Sequence, residues 1–353
     1  MVRKLDFEVS RIKFLKIKMK EIIISGNVKK KWNWKVILAF VFILFACFFF
    51  WQQRNELVTI NRSLQQVNGF WFFVGIFFTV AYIIFQAALY VYSFRSVDGI
   101  VTWKDALRLF LKRNVVAVFL PGGGLTALAY VPNEFKVKLS DQQKLHHSSV
   151  IYGFIGIFSV FIVAIPVLFY LLIHQTHVPG ILPAFITMLA MLLAIGLFVW
   201  SVQNKGLFYR WVIKARPKWQ IFLTDIFSFK IIWKQFLFAT FASILIEVVG
   251  VVHLYVSMLA VGVTPSWEAS LIGYIVAAVF LIISPFLRGL GAIEVSLTFI
   301  LVQYSFTTAD AFLISLLFRI FELWLPLLVG LLYYVKRVII YFQNLIKPKF
   351  KEN

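Results

Sequence analysis

An arginine and a glutamate three residues apart, Arg319 and Glu322, interrupt the otherwise apolar run LISLLFRIFELWLPLLVG. A third charge, Glu247, interrupts another run, FASILIEVVGVV. A charge at the centre of a membrane helix costs roughly 2.5–3.5 kcal/mol on insertion scales, so each is expected to face protein or water. Arg319 and Glu322 are spaced to pair along one helix face. Glu247 has no opposite charge near it in sequence and suits a proton or cation site, or a neutral buried acid. A second set surrounds the break SPFLRGLGAIE. Here Gly289 and Gly291 bracket a turn, Arg288 is a cation beside it, and Glu294 falls early in the next helix. A guanidinium at that place suits bidentate contact with a phosphate. The carboxylate suits the positive end of a helix, as a cap, and a bridge between Arg288 and Glu294 is equally open. The third set is LPGGGLTALAYVPNEF, in which Pro121 stops one helix and Gly122, Gly123 and Gly124 permit a tight turn. Amide groups at a restarting helix favour an anion such as phosphate. No Lys-Ser or Lys-Thr follows the glycines, so this is not a nucleotide loop.

The two breaks share a frame. Trp103 precedes Pro121 by the same interval that separates Trp267 from Pro285, and each tryptophan is followed by a charge and then by a leucine, Leu107 or Leu271. A helix broken inside a hydrophobic protein frees backbone groups that lipid cannot satisfy, so such breaks persist only when buried or wet. Paired breaks in matching halves are the sequence pointer to a transport site.

The elements that must position these residues are membrane spans. Of the 353 residues, 61% are hydrophobic, and the mean hydropathy is +0.88. That excludes a soluble globule. The net charge of +20 is not a nucleic-acid footprint, because its placement is segmental. Of 35 Lys and Arg, 11 fall in residues 1–35, eight in 95–147, seven in 203–236 and five in 336–353. Only Arg54, Arg62, Arg288 and Arg319 lie elsewhere. The positive-inside rule makes those four segments cytoplasmic. Spans are then expected at about 35–51, 69–94, 148–173, 180–202, 237–262 and 310–335, with both termini in the cytoplasm. Residues 1–34 form a basic N-terminal segment, either an amphipathic surface helix or a loosely ordered tail. Residues 35–337 form the membrane domain, and 338–353 a basic tail.

Treating 103–135 and 267–304 as hairpins that dip in and return keeps the sides consistent; arms long enough to count as spans would raise the number without changing the sides. The expected fold is therefore an all-α polytopic membrane protein, with about six full spans and two re-entrant helical hairpins. The halves 69–173 and 237–335 repeat with inverted topology.

Cys47 is the only cysteine, which excludes an intrachain disulfide. His146 and His147, and His174 and His177, come without carboxylate or cysteine partners, so no metal and no cofactor is expected. No G-x-S-x-G, H-E-x-x-H, Walker or C-x-x-C motif is present, so the chain is not expected to be an enzyme.

In LPGGG at 120–124, GLGAIE at 289–294 and RIFELWLPLLVGLL at 319–332, the chain resembles the transmembrane region of the lysylphosphatidylglycerol synthase/flippase family. The matching positions are Pro121, Gly122 and Gly123; Gly289, Leu290, Gly291 and Glu294; and Arg319, Trp324 and Pro326. The resemblance spans roughly 35–337. Two departures bear on substrate: SPFLRGLG carries less Pro and Gly than is common there, and LTALAYVPNEF lacks the usual further glycine and basic residue. The resemblance implies a bacterial inner-membrane flippase of phospholipid, anionic or aminoacylated. Because the chain stops at Asn353, it implies no synthase activity. In that reading Arg288, Arg319 and helix-start amides hold a phosphate, while Glu294, Glu322 and Glu247 balance an amine or carry a proton. A small-solute or ion transporter, and a non-catalytic subunit of an envelope lipid enzyme, are the rival readings. A second copy of the chain and such an enzyme are the protein partners left open.

Overall fold

A computed structural model describes residues 67–119, 127, 130, 142–173, 181–215, 230–283, 289 and 291–333. All belong to one compact unit, Ile60–Asn353. The expected first span, the basic segment 1–34, Cys47, Arg54, Arg62, His174, His177 and the tail 338–353 lie outside the described residues. So do Pro121 to Gly124, Pro285 and Arg288.

The described residues are helical, with no strand among them. They form α1 (Gly69–Arg95), α2 (Trp103–Phe119), α3 (Gln142–Ile173), α4 (Ile181–Gln203), α5 (Leu207–Ala215), α6 (Trp233–Val261), α7 (Trp267–Ile283), α8 (Ala292–Gln303) and α9 (Thr308–Arg319). The last continues through a π-helical turn, Ile320–Trp324, to Tyr333. Among the described residues, four helices are long and apolar enough to cross a membrane: Gly69–Arg95, Lys144–Val167, Trp233–Val261 and Thr308–Tyr333. Helix α4 forms where a further span is expected, with a shorter apolar stretch at Leu192–Val202.

The helix ends follow from local chemistry. Asn68 Oδ1 accepts from Phe70 N–H at 3.0 Å, and Thr307 Oγ1 from Asp310 N–H at 3.1 Å, each supplying an acceptor to amides that the helix leaves unpaired. Helix α6 ends at Gly262, whose φ of +85° is left-handed; its N–H bonds Leu259 O, and Val263 N–H bonds Met258 O.

Helices α1 and α6 lie side by side and antiparallel, and backbone bonds tie them at both ends. Asn68 N–H donates to Ala260 O at 2.8 Å, and Ile232 N–H donates to Ser96 O at 2.8 Å. Each tie joins the residue before one helix to the end of the other. Small residues admit close neighbours. A methyl at Gly75 would overlap the Phe321 ring, and one at Gly250 would overlap the Tyr274 ring.

Helices α7 and α8 pack against each other as a hairpin. Tyr304, just past α8, donates to Glu268 at the start of α7 at 3.1 Å, so the chain returns to the level at which it entered. Twelve residues of α8 rise about 18 Å, short of a hydrocarbon core of about 30 Å. In the first half, α2 packs on α1, and Lys144 at the start of α3 donates to Asp98 O at 2.9 Å, near the end of α1. Apolar packing forms two main clusters. Tyr90, Phe94, Leu109, Leu145 and Ala239 join α1, α2, α3 and α6. Leu254, Ile272, Leu297, Leu301 and Ile314 join α6, α7, α8 and α9.

Candidate functional site

The buried charges do not stand apart; packing joins them through residues from five helices. Arg319, at the end of the regular part of α9, is buried and donates through Nε to Glu294 Oε1 at 2.9 Å. The other oxygen of Glu294 accepts from Gly291 N–H at 2.7 Å. Glu294 is therefore the expected cap and also the ion-pair partner of Arg319, while Arg288, the partner that spacing suggested, lies outside the described residues. Its cation is Arg319, 25 residues further along the chain. Gly289 and Gly291 both have positive φ, +75° and +84°, which a side chain would strain. At Gly289 a Cβ would also crowd Ile293.

Glu322 finds its close partner on α6. His253 Nδ1 lies 2.7 Å from Glu322 Oε1, and the ring is fully buried and stacks on Phe321. The spacing of Arg319 and Glu322 suggests a pair along one face, whereas each has its close partner on another helix. The π turn that starts at Ile320 inserts an extra residue into the helical repeat and re-aims Glu322. Its cause is in the sequence. Pro326 has no N–H, and in an α-helix its ring would clash with the Glu322 carbonyl.

Glu247 is buried and held by two hydroxyls. Tyr274 of α7 donates to Oε2 at 2.6 Å, and Ser159 of α3 donates to Oε1 at 2.9 Å. Ser159 also lies 2.8 Å from Ser243 Oγ. Partners that sequence spacing could not provide thus come from two other helices.

A narrow cleft of about 40 Å³ runs between these groups, lined by Tyr82, Tyr274, Arg319 and Glu322 among apolar side chains of α7, α8 and α9. Across α7, toward its first turns, lies a larger apolar cavity of about 620 Å³, bounded by Ile162, Val163, Pro166, Leu271 and Ile272. Among the described residues of that wall, Glu268 is the one that is charged. Burial, and then the Glu268 carboxylate, push the Tyr304 phenol up, so it remains a donor to Glu268. Trp267 stacks on Tyr255 at the same level, with ring centroids 3.9 Å apart.

The residues missed by sequence reading are the uncharged or singly placed ones. His253 is a lone histidine in VVHLYVSM, and its signal was that any titratable residue inside a span is a functional candidate. Tyr274, Ser159 and Thr79 carry no such signal. Arg113, counted among the cytoplasmic cations, is buried, bonds Ser149 Oγ at 2.8 Å and lies 5.5 Å over the Tyr90 ring. Among the described residues, no group of three or more His, Cys, Asp or Glu is placed to hold a metal ion.

Comparison with known proteins adds one result. No curated protein and no solved structure matches the chain. The model of one family, the lysylphosphatidylglycerol synthase TM region, matches residues 34–330, which include every helix from α1 to α9. The helices fit to cross a membrane and this match agree: the chain is an integral membrane protein that belongs to the lysylphosphatidylglycerol synthase transmembrane-region family.

Proposed function

We propose that this protein is a lipid flippase, moving the headgroup of an anionic or zwitterionic phospholipid across the cytoplasmic membrane. The observation that carries the reading is the placing of two unlike cavities along one helix. The first turns of α7 border an apolar space of about 620 Å³, and its later turns border a cleft lined by Arg319, Glu322, Tyr82 and Tyr274. A charged cleft beside an apolar cavity suits an amphiphile, with aliphatic chains on one side and a headgroup on the other.

The arrangement of the halves supports an inverted-topology repeat. Helices α1 and α6 each open a half, and they are antiparallel with reciprocal end-to-end ties. Helix α3 packs on α6, and the π turn of α9 packs on α1, so each half closes on the other's first helix. In this reading α7 and α8 are a re-entrant hairpin entering from the outer side, and 103–135 is its counterpart. The basic residues at one end, Arg95, Lys104, Arg108, Lys144 and Lys234, favour that end as cytoplasmic. Pro121 to Gly124 and Arg288 complete the phosphate site, and the carboxylates Glu294, Glu322 and Glu247 balance an amine or a proton.

The narrowness of the charged cleft favours one rival, a transporter of a small solute or ion. Native mass spectrometry on protein released gently from its host membrane, combined with headgroup accessibility in proteoliposomes, separates the two. A phospholipid retained by the wild type and moved between leaflets, with both lost in the Arg319→Gln/Glu294→Gln double variant, supports the flippase. Lipid-free protein and static headgroups would transfer the assignment to the small-solute reading.

A further inference from the structure

Thr79, His253, Phe321 and Glu322 meet where α1, α6 and α9 touch. Thr79 Oγ1 lies 3.1 Å from Gly75 O, 3.2 Å from Phe321 O and 3.4 Å from His253 Nε2. One hydroxyl hydrogen therefore has three acceptors in reach. The Phe321 carbonyl has the strongest need of it. Its α-helical donor would be Leu325 N–H, which bonds Ile320 O instead, and the next residue, Pro326, has no N–H. A buried carbonyl without a donor is costly.

Hydrogens can be counted from these contacts. When Thr79 donates to Phe321 O, its lone pair faces His253 Nε2, and that contact is a hydrogen bond only if Nε2 carries a hydrogen. On the other side of the ring, the 2.7 Å contact between Nδ1 and Glu322 Oε1 needs a second hydrogen. The pair then holds two hydrogens and is neutral as a unit, whether written as imidazolium with carboxylate or as imidazole with acid. If Thr79 turns to donate to Nε2, the ring needs only its Nδ1 hydrogen, Glu322 is a carboxylate, and the pair carries one negative charge. The two states differ by one proton and by the orientation of one hydroxyl.

We propose that His253 and Glu322 form a reversible proton-binding site inside the membrane, whose loading is passed to the π turn of α9 through the Thr79 hydroxyl. Loading takes one proton from water in the cleft that Glu322 lines. It frees Thr79 to satisfy Phe321 O, and so ties α1 of one half to α9 of the other. Unloading withdraws that donor. Among the described residues, the charged and titratable groups around the pair are Tyr82 from α1, Glu247 from α6 itself, Tyr274 from α7, Glu294 from α8 and Arg319 from α9, while α3 contributes the Ser159 hydroxyl. Among the described residues the nearby cation is Arg319, which bonds Glu294, so it is a second proton on the pair that neutralises Glu322. That this proton drives transport rests on the flippase reading; that it binds does not.

The test is solid-state NMR of the full chain, with ¹⁵N-labelled histidine, in lipid bilayers. The chain has five histidines, and His253 is assigned by the signal missing in His253→Gln. The expected result is Nε2 protonated at mildly acid pH and bare at mildly alkaline pH, with Nδ1 engaged throughout. Glu322→Gln and Thr79→Val should each abolish the change while the other histidine signals stay in place. If His253→Gln does not fold, the signal that alone changes in Glu322→Gln makes the assignment. An Nε2 that keeps one state across this range overturns the proposal. Headgroup movement is measured on the same samples. A titrating His253 with static lipids overturns the flippase reading alone, and moving lipids with a fixed His253 overturn the proton site alone.

Discussion

Arg319 and Glu294 form an ion pair between α9 and α8, 2.9 Å from Nε to Oε1, and the second carboxylate oxygen holds Gly291 N–H at 2.7 Å. One carboxylate thus fixes the turn of the hairpin and anchors it to the last long helix. If Arg319 only held a phosphate, Arg319→Gln would spare the fold. The pairing argues otherwise, because removing one partner leaves a buried charge uncompensated, at roughly 3–5 kcal/mol. Arg319→Gln and Glu294→Gln are each expected to lower the unfolding temperature strongly. The double variant should recover most of the loss, since neutral amides can bond to each other. Thermal unfolding of the four proteins in one detergent checks this, and equal losses in all three variants would remove the pair from the account.

Glu247 depends on hydroxyls from two other helices. Tyr274→Phe removes the donor to Oε2 and Ser159→Ala the donor to Oε1. Each should cost about 1–3 kcal/mol by leaving a buried acceptor unmet. Glu247→Leu combined with Tyr274→Phe should cost less than the sum of the separate changes. A double-mutant cycle on unfolding free energy gives the coupling, and strict additivity would show that the contact carries no energy.

Close packing makes Gly250 a sensitive position. A methyl there meets the Tyr274 ring, so Gly250→Ala should push the ring aside and cost about 1–3 kcal/mol through overpacking. Gly156, where a methyl meets nothing within 4 Å, is the control, and Gly156→Ala should be neutral or slightly stabilising in its helix. Unfolding temperatures of the two variants compared with wild type decide it.

The apolar cavity beside α7 should be filled by a bulky side chain without disturbing the charged cleft. Leu271→Trp is expected to reduce retained phospholipid by about tenfold, corresponding to roughly 1.4 kcal/mol of lost lipid binding. It should leave thermal stability near that of wild type. Lipid counts by native mass spectrometry supply the readout. Unchanged retention would place the aliphatic chains elsewhere.

Much of the fold was legible in the chain. The expected spans at 69–94 and 237–262 are the helices Gly69–Arg95 and Trp233–Val261, and α7 and α8 form within the stretch 267–304. Apolar runs of membrane length, bounded by Lys and Arg, have few alternative structures, because every backbone amide in lipid must bond within its own segment. The charges Glu247, Glu294, Arg319 and Glu322 were also visible, since an ionisable residue in such a run stands out against its background.

Their partners were not visible. Local spacing proposed Arg319 with Glu322, because sequence shows only neighbours along one helix; Arg288, proposed for Glu294, lies outside the described residues. The folded chain joins residue 319 to 294, 322 to 253, and 247 to both 159 and 274. Those distances in sequence are set by which helices lie adjacent, and adjacency comes from the antiparallel contact of α1 with α6 and from glycines that admit large rings. The π turn shows the division most clearly. The sequence by itself determined that Pro326 must disturb the last span, for want of an N–H. Only the tertiary structure decided how the disturbance is met: Thr79, from a helix more than two hundred residues earlier, reaches the Phe321 carbonyl that the helix leaves without a donor.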